Sequence, residues 1–361
     1  MVRPFFYGLI GVVAGLAWIG SAQAEHAGGV TSPEVQGQVV AYAPIERLNG
    51  PLTVVGSNTM APVLMRLAGE FMRQHPAVRV MVEAGGSEKA MRGFLDGHAE
   101  SRRGDGNVSG HVASNQIQLM ASSRKLTAGD VAAFVSRYGY EPTEIPIATD
   151  AVAIYAHKDS PLTGLTLDQV DALYSKTFKR GSRAPVVTWG QLGVNHGEGQ
   201  APIRLYGRDH RSGTREFFRE HALLGGELKE SVQEVPGSAS VIYEVSRDRF
   251  AIGYSGIGYQ TPLVKALPLA EKEGAPFVSP SAETTLNGSY PLTRSLYLYI
   301  NKTPNEEMNP VVMEFLKFVN SREGQQAVVA AGVYPLPARR VTRNLALLGL
   351  GATPTAVSVG K

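Results

Sequence analysis

Between positions 208 and 214 the chain reads Arg-Asp-His-Arg-Ser-Gly-Thr, and from Arg215 to Leu224 it becomes amphipathic with helical spacing. A cation, two hydroxyls and a glycine thus arrive where a helix begins. A helix start carries unpaired N–H groups and the positive end of the macrodipole. Gly213 lets backbone approach a ligand, Ser212 and Thr214 add donors, and Arg208 adds a bidentate fork, so the spacing suits capture of an anion. Taken alone, the segment is equally a capped helix beside a surface arginine. Three other junctions repeat the pattern. Gly56-Ser57-Asn58-Thr59 follows the β-rich Leu52–Val55, Gly85-Gly86-Ser87 follows Val78–Val82, and Ala121-Ser122-Ser123-Arg124 follows Ile117–Met120. Four hydroxyl-bearing turns, two with an arginine, predict one shared ligand, because open α/β sheets bind in the crevice beyond the carboxyl ends of their strands.

The elements that must position these turns are legible as periodicity. Leu64, Leu67, Ala68 and Phe71 share a helical face after the first turn, as do Ala90, Met91, Phe94 and Leu95 after the second, and the third leads into a helix over Leu126–Tyr138. Glu144–Tyr155 alternates β-branched and small residues and is expected to be a strand crossing between domains. Thr166 caps a helix running to Tyr174, Val186-Val187 reads as a short strand ending at Thr188-Trp189, and Ile203–Tyr206 feeds the Arg208 loop. Gly237-Ser238-Ala239-Ser240 caps another helix, Phe250–Tyr254 reads as a strand returning to the first domain, and Leu296–Ile300 as a further strand. Asn309–Ser321 and Glu323–Ala331 are amphipathic helices. Alternating strands and helices give an α/β class, and no internal repeat is visible.

Arg3, the apolar Phe5–Ile19 and Ala22-Gln23-Ala24 predict a signal peptide cleaved after Ala24; the apolar stretch is short for a spanning helix, a retained anchor being the competing reading. About 337 residues then remain, more than one core usually supports, so two domains are expected. A hydrophobic share of 43%, 19% charged residues and a net charge of +3 fit a folded soluble chain and give no footprint for nucleic acid. Without cysteine there is no disulfide framework, thiol nucleophile or thiolate metal site. The eight histidines are scattered without ligand spacing, and neither a Gly-x-Ser-x-Gly elbow nor a His-Glu-x-x-His motif occurs, so no metal, cofactor or catalytic residue is expected. Residues 97–115 read as a polar surface loop.

In order along the chain, Gly56–Met60, Gly85–Ser87, Ala121–Arg124, Thr149–Ala153, Arg208–Thr214 and Ile252–Gly256 resemble the phosphate-binding proteins of bacterial ABC importers, a likeness running from about Leu52 to Pro337. The resemblance implies a two-lobed periplasmic binding protein fold of type II with two interdomain crossings. The boundaries expected are a signal peptide over 1–24, a flexible lead-in over 25–50, lobe I over 51–148 and 253–338, lobe II over 149–252, and a tail over 339–361. It further implies inorganic phosphate held by Ser57, Asn58, Thr59, Ser87, Ser123, Arg124, Arg208, Ser212, Gly213 and Thr214, a membrane permease as partner, a monomer, and a periplasmic or secreted location. The best studied relatives place an aspartate in the third turn to accept the phosphate's proton, and here Ser122-Ser123-Arg124 stands instead, a turn other members also carry. A carboxylate there would reject fully ionised anions, so anion binding is more firmly implied than phosphate selectivity. Asp150 and Asp209 are alternative acceptors, each read more simply as a carboxylate orienting Arg208. A secreted phosphatase on the same scaffold and a surface or adhesion protein that kept the fold remain as alternatives.

Overall fold

The computed structural model describes residues 34–97, 117–194 and 199–350. The expected signal peptide, nearly all of the 97–115 loop and the end of the tail lie outside these residues.

The first half builds β1 (Gly50–Gly56), α1 (Ala61–Gln74), β2 (Val78–Ala84), α2 (Ser87–Asp96), β3 (Leu119–Ser122), α3 (Ala128–Tyr138) and β4 (Thr143–His157). β1 pairs in parallel with β2 and β3, so all three end on one edge of the sheet. That parallel pairing is what collects the turns at positions 57, 87 and 123. The middle of the chain adds β5 (Leu165–Thr166), α4 (Leu167–Tyr174), β6 (Arg204–Arg208), α5 (Gly213–His221), β7 (Gln233–Val235), α6 (Ser238–Arg247), β8 (Ala251–Gly256), β9 (Val264–Leu267), β10 (Leu269–Ala270) and α7 (Ala282–Leu286). Here β6 is parallel to β7 and β8, so the Arg208 loop and the start of α6 likewise share an edge. The chain closes with β11 (Thr293–Ile300), α8 (Pro310–Val319), α9 (Arg322–Ala330) and α10 (Ala338–Leu347).

One strand belongs to both halves. β4 pairs antiparallel with β11 through Ala151 and then, from Val152 onward, with β8 and β9, giving the order β2-β1-β3-β11-β4-β8-β6-β7 with β9 also on β4. Two buried apolar cores lie to either side of this exchange. One packs Leu52, Val54, Leu67 and Phe71 against Leu296, Leu298 and Phe315. The other packs Val152 and Ile154 against Tyr174, Phe218, Val241 and Tyr254. Each lobe thus has its own core, and the polar turns lie where the two meet.

The structure corrects several expectations. Phe250–Tyr254 does not lead back to the first lobe: β8 is held between β4 and β6, and Tyr290 and Leu292 still pack in the second core. The return runs through β11, where Thr293 faces Ala151. Val186-Val187 forms no strand: Val186 N–H bonds to the Ala172 carbonyl and Val187 N–H to Gln191 Oε1, so neither amide joins a ladder, and only Thr188 makes a bridge, to Pro202. The described part of the lead-in has no helix or strand before β1 begins at Gly50, yet it packs: Val39 and Leu48 are buried, and the Tyr42 hydroxyl sits 2.6 Å from His75 Nε2 and donates to Glu314 at 2.8 Å. From Ala338 the expected tail is helical, burying Val341 and Asn344, whose amide donates to the Pro146 carbonyl and to Asn320 Oδ1 at 2.7 Å each.

Candidate anion-binding site

Each turn is shaped by a cap or a close approach. Ser57 starts a short 3-10 turn (Asn58–Met60), its Oγ accepting from Thr59 N–H at 3.1 Å and donating to Ser123 Oγ at 2.9 Å. Gly86 has φ +99°, and a Cβ there would lie 2.5 Å from the Arg211 carbonyl oxygen, so only glycine lets the second turn meet the Arg208 loop. Ser87 Oγ accepts from Ser123 N–H at 3.4 Å. Across the interface Ser212 caps α5, accepting from Thr214 and Arg215 N–H. A Cβ on Gly213 would stand 2.6 Å from Ser87 Oγ and 2.9 Å from Ser123 Oγ. The two lobes therefore touch at hydroxyls through a residue with no side chain.

Eight of the ten residues expected from sequence come together: Ser57, Thr59, Ser87, Ser123, Arg208, Ser212, Gly213 and Thr214 are buried in one cluster. The side chains of two do not. Asn58 donates to the Pro236 carbonyl at 2.9 Å, the oxygen that also accepts from Arg208 Nη2, so its amide is spent tying the lobes together. Arg124 donates to Asp130 Oδ2 at 2.7 Å and to the Lys125 carbonyl, because Asp130 closes the capping box of α3 and draws the guanidinium to it. Two more residues enter. Ser238, seen in the sequence only as a cap, lies 3.1 Å from Thr59 Oγ1 and accepts from Arg208 Nη1 at 2.7 Å. Arg294 donates to Thr214 Oγ1 at 3.0 Å, and Thr214 Oγ1 lies 2.8 Å from Thr59 Oγ1.

Charge is distributed unevenly over the cluster. Arg294 is paired with Asp150, its cross-strand neighbour, through Nε at 2.9 Å and Nη2 at 2.7 Å. Asp209 is paired with Arg211. Neither aspartate therefore orients Arg208, contrary to the expectation for both. Arg208 is 1% exposed, and its partners are neutral oxygens: Ser238, Thr59 Oγ1 at 3.3 Å and the Pro236 carbonyl at 3.1 Å. Its Nε has no acceptor among the described residues. Burial pulls the pKa of this guanidinium down, the sign of a cation short of solvation. A buried charge without a counter-charge is costly, and the arrangement is suited to an anion that supplies one. A cavity of about 690 Å³ lies beside this cluster, with Arg294 and Phe217 among its lining residues.

Two lobes with separate cores, exchanging β4 and facing each other across buried hydroxyls, define a substrate-binding protein of the type II class. The model of the PBP superfamily domain matches residues 22–323, and the chain belongs to this family. It is 42% identical over 309 residues to the phosphate-binding protein PstS of Pseudomonas aeruginosa, covering 86% of this chain and 90% of the relative. A phosphate ABC transporter substrate-binding protein from Clostridium perfringens, solved with bound phosphate, superposes with TM-score 0.63 at 25% identity, covering 80% of this chain and all of the other. An ABC-type phosphate transport receptor from Vibrio cholerae, at 21% identity and TM-score 0.57 over 79% of this chain and all of that one, shares the fold. These relatives are binding proteins by name rather than enzymes.

Proposed function

We propose that the chain binds inorganic phosphate between its lobes and delivers it to the membrane permease of an ABC importer. The observation that carries this reading is the buried Arg208, which faces hydroxyls and no carboxylate. In this reading Arg208 supplies the counter-charge, while Ser57, Thr59, Ser87, Ser123, Ser212, Thr214 and Ser238 and the first N–H groups of α5 supply the remaining donors. Gly213 lets the lobes close over the ion, and Asn58 helps hold them shut. Closure dehydrates the anion between fixed donors, and differential affinity for the closed form makes closure follow binding. The names of the relatives support phosphate and an ABC permease as partners. We assign lobe I to residues 34–150 and 293–350 and lobe II to residues 151–292, and take the protein to act as a periplasmic monomer without catalysis, released from its leader after Ala24.

Isothermal titration with phosphate and with sulfate tests this function. Heat with phosphate at a stoichiometry of one supports it, and no heat with either anion rejects it. Colourless assays with p-nitrophenyl phosphate, with and without divalent metals, are expected if the site only binds.

A further inference from the structure

The cavity of about 690 Å³ beside the cluster has walls from both lobes. Lobe I supplies the start of α3, the polar end of β11 and the start of α10; lobe II supplies Phe217 and His221 of α5 and the end of α7. Neither Arg208 nor any clustered hydroxyl lines it, and the two sites share only Arg294, which lines the cavity and donates to Thr214. Five of the lining residues are arginine or lysine, and Glu220 is the single carboxylate among them. Three of these cations are already matched, Arg124 with Asp130, Lys125 with Glu144 and Arg294 with Asp150. Arg339 and Arg340 are not. Both are exposed and neither has a carboxylate partner among the described residues; Arg340 Nη1 donates to Ser295 Oγ at 2.9 Å, a neutral hydroxyl that also lines the cavity.

The placement of these two arginines is unfavourable by itself. They stand in the first turn of α10, at the positive end of its macrodipole, with no acidic residue in that turn and no side-chain cap on the helix. Cations at a helix start destabilise it unless an anion neutralises them. Thr285, on the opposite lobe, points the same way: it lines the cavity, is 1% exposed, and its Oγ1 has no hydrogen-bond partner among the described residues. A buried hydroxyl without a partner carries a desolvation cost that a ligand oxygen removes. We propose that this cavity is a second binding site, for a small ligand carrying two or more linked phosphates, held by Arg339 and Arg340 with Thr285 as a further polar contact. Guanidinium forks match phosphate oxygens, and the volume is that of a small-molecule site, well beyond the needs of a single phosphate. The rings of Phe217 and His221, stacked at 4.1 Å, also line it and give a nucleobase a flat neighbour, so an inorganic oligophosphate and a nucleotide share the chemistry. The inference does not depend on what the hydroxyl cluster holds.

The test is titration calorimetry on the full mature chain, free of divalent cations and saturated with orthophosphate, using tripolyphosphate, ATP, AMP and sulfate. Tripolyphosphate or ATP is expected to bind at a stoichiometry of one, about tenfold or more tighter than AMP or sulfate, because a single anionic group engages one guanidinium fork where a chain engages both. Tripolyphosphate at least as tight as ATP assigns an inorganic chain, and ATP ahead assigns a nucleotide. The double variant Arg339→Gln, Arg340→Gln should weaken that ligand by about tenfold or more and leave orthophosphate within about twofold, whereas Arg208→Met should weaken orthophosphate and leave the oligophosphate within about twofold. Both glutamines replace exposed side chains, and an unchanged thermal melt confirms that the double variant folds. No heat from either oligophosphate, an affinity no greater than for AMP or sulfate, or binding that the double variant leaves intact overturns the inference. A chain that binds tripolyphosphate in this pattern and takes no orthophosphate keeps the inference and rejects the function proposed above.

Discussion

Replacing Arg208 by methionine should move affinity and stability in different directions, which separates a binding cation from a structural one. With phosphate, the variant loses the charged partner of a buried ion pair, worth about 2–5 kcal/mol by comparison with similar truncations. That is a rise in Kd of about thirtyfold to several thousandfold. Without phosphate, the guanidinium has only neutral partners, and the groups it leaves are not orphaned. The Pro236 carbonyl keeps its bond from Asn58 at 2.9 Å, and Thr59 and Ser238 keep each other at 3.1 Å. Desolvation of an uncompensated cation costs several kcal/mol, and an apolar side chain of similar reach avoids it. The phosphate-free melting temperature of Arg208→Met should therefore equal or exceed that of the wild type. At phosphate one hundred times the wild-type Kd, the wild type gains about 2.7 kcal/mol of stability by mass action and the variant about 0.9 kcal/mol at a thirtyfold loss of affinity, falling to almost none at a thousandfold loss. Calorimetry together with thermal melts at both phosphate levels measures this. A phosphate-free midpoint lowered by several degrees, with less than tenfold lost in affinity, would show that Arg208 is a crosslink and refute the reasoning.

Three further outcomes follow from other parts of the molecule. Gly213→Ala places a Cβ within 2.6 Å of Ser87 Oγ and should hold the lobes apart, weakening phosphate by about 5- to 150-fold, the usual 1–3 kcal/mol of overpacking, with an unchanged phosphate-free melt. For Asp130, burial raises the carboxyl pKa but hydrogen bonds from Arg124 and Thr127 outweigh it, leaving the folded value below the ordinary one. Its contribution is then present above the ordinary pKa and lost as pH falls through the folded value, so Asp130→Asn should cost about 1–2 kcal/mol in urea at pH 7 and little at strongly acid pH. Deleting the chain after Pro337 removes α10 with buried Val341 and Asn344, and should lower urea stability by about 2–4 kcal/mol without changing phosphate affinity.

What the sequence displayed well is whatever is encoded locally. The strand-turn-helix junctions at Ser57, Ser87 and Ser123 and the loop at Arg208–Thr214 are each contained in a few residues, and so are the capping boxes at Thr127 and Thr166. Parallel pairing then brings them together because β1, β2 and β3 end on one edge. The path between lobes was less legible. Ala251–Gly256 has the composition of any buried strand, and only its pairing with β4 and β6 decides its lobe. α10 was missed because Arg339, Arg340 and Arg343 mask an apolar side supplied by Val341, with Asn344 as its buried polar anchor.

The site's charge balance was hidden for a deeper reason. Whether Arg208 has a carboxylate depends on where Asp150 and Asp209 spend theirs, and both spend them on other arginines. Asp209 pairs with Arg211, two residues away, and Asp150 with Arg294, 144 residues away but directly opposite in the ladder. Arg124 illustrates the converse: its position in a hydroxyl turn suggested a ligand contact, and Asp130 six residues later claims it for the cap of α3. A turn motif identifies which groups are available to an anion, whereas their freedom to bind one is set by competing partners brought up by tertiary pairing. Arg294 stands at the polar start of β11, between Thr293 and Ser295 and ahead of the apolar Leu296–Ile300 run, so only the ladder that sets Asp150 opposite it reveals that competition.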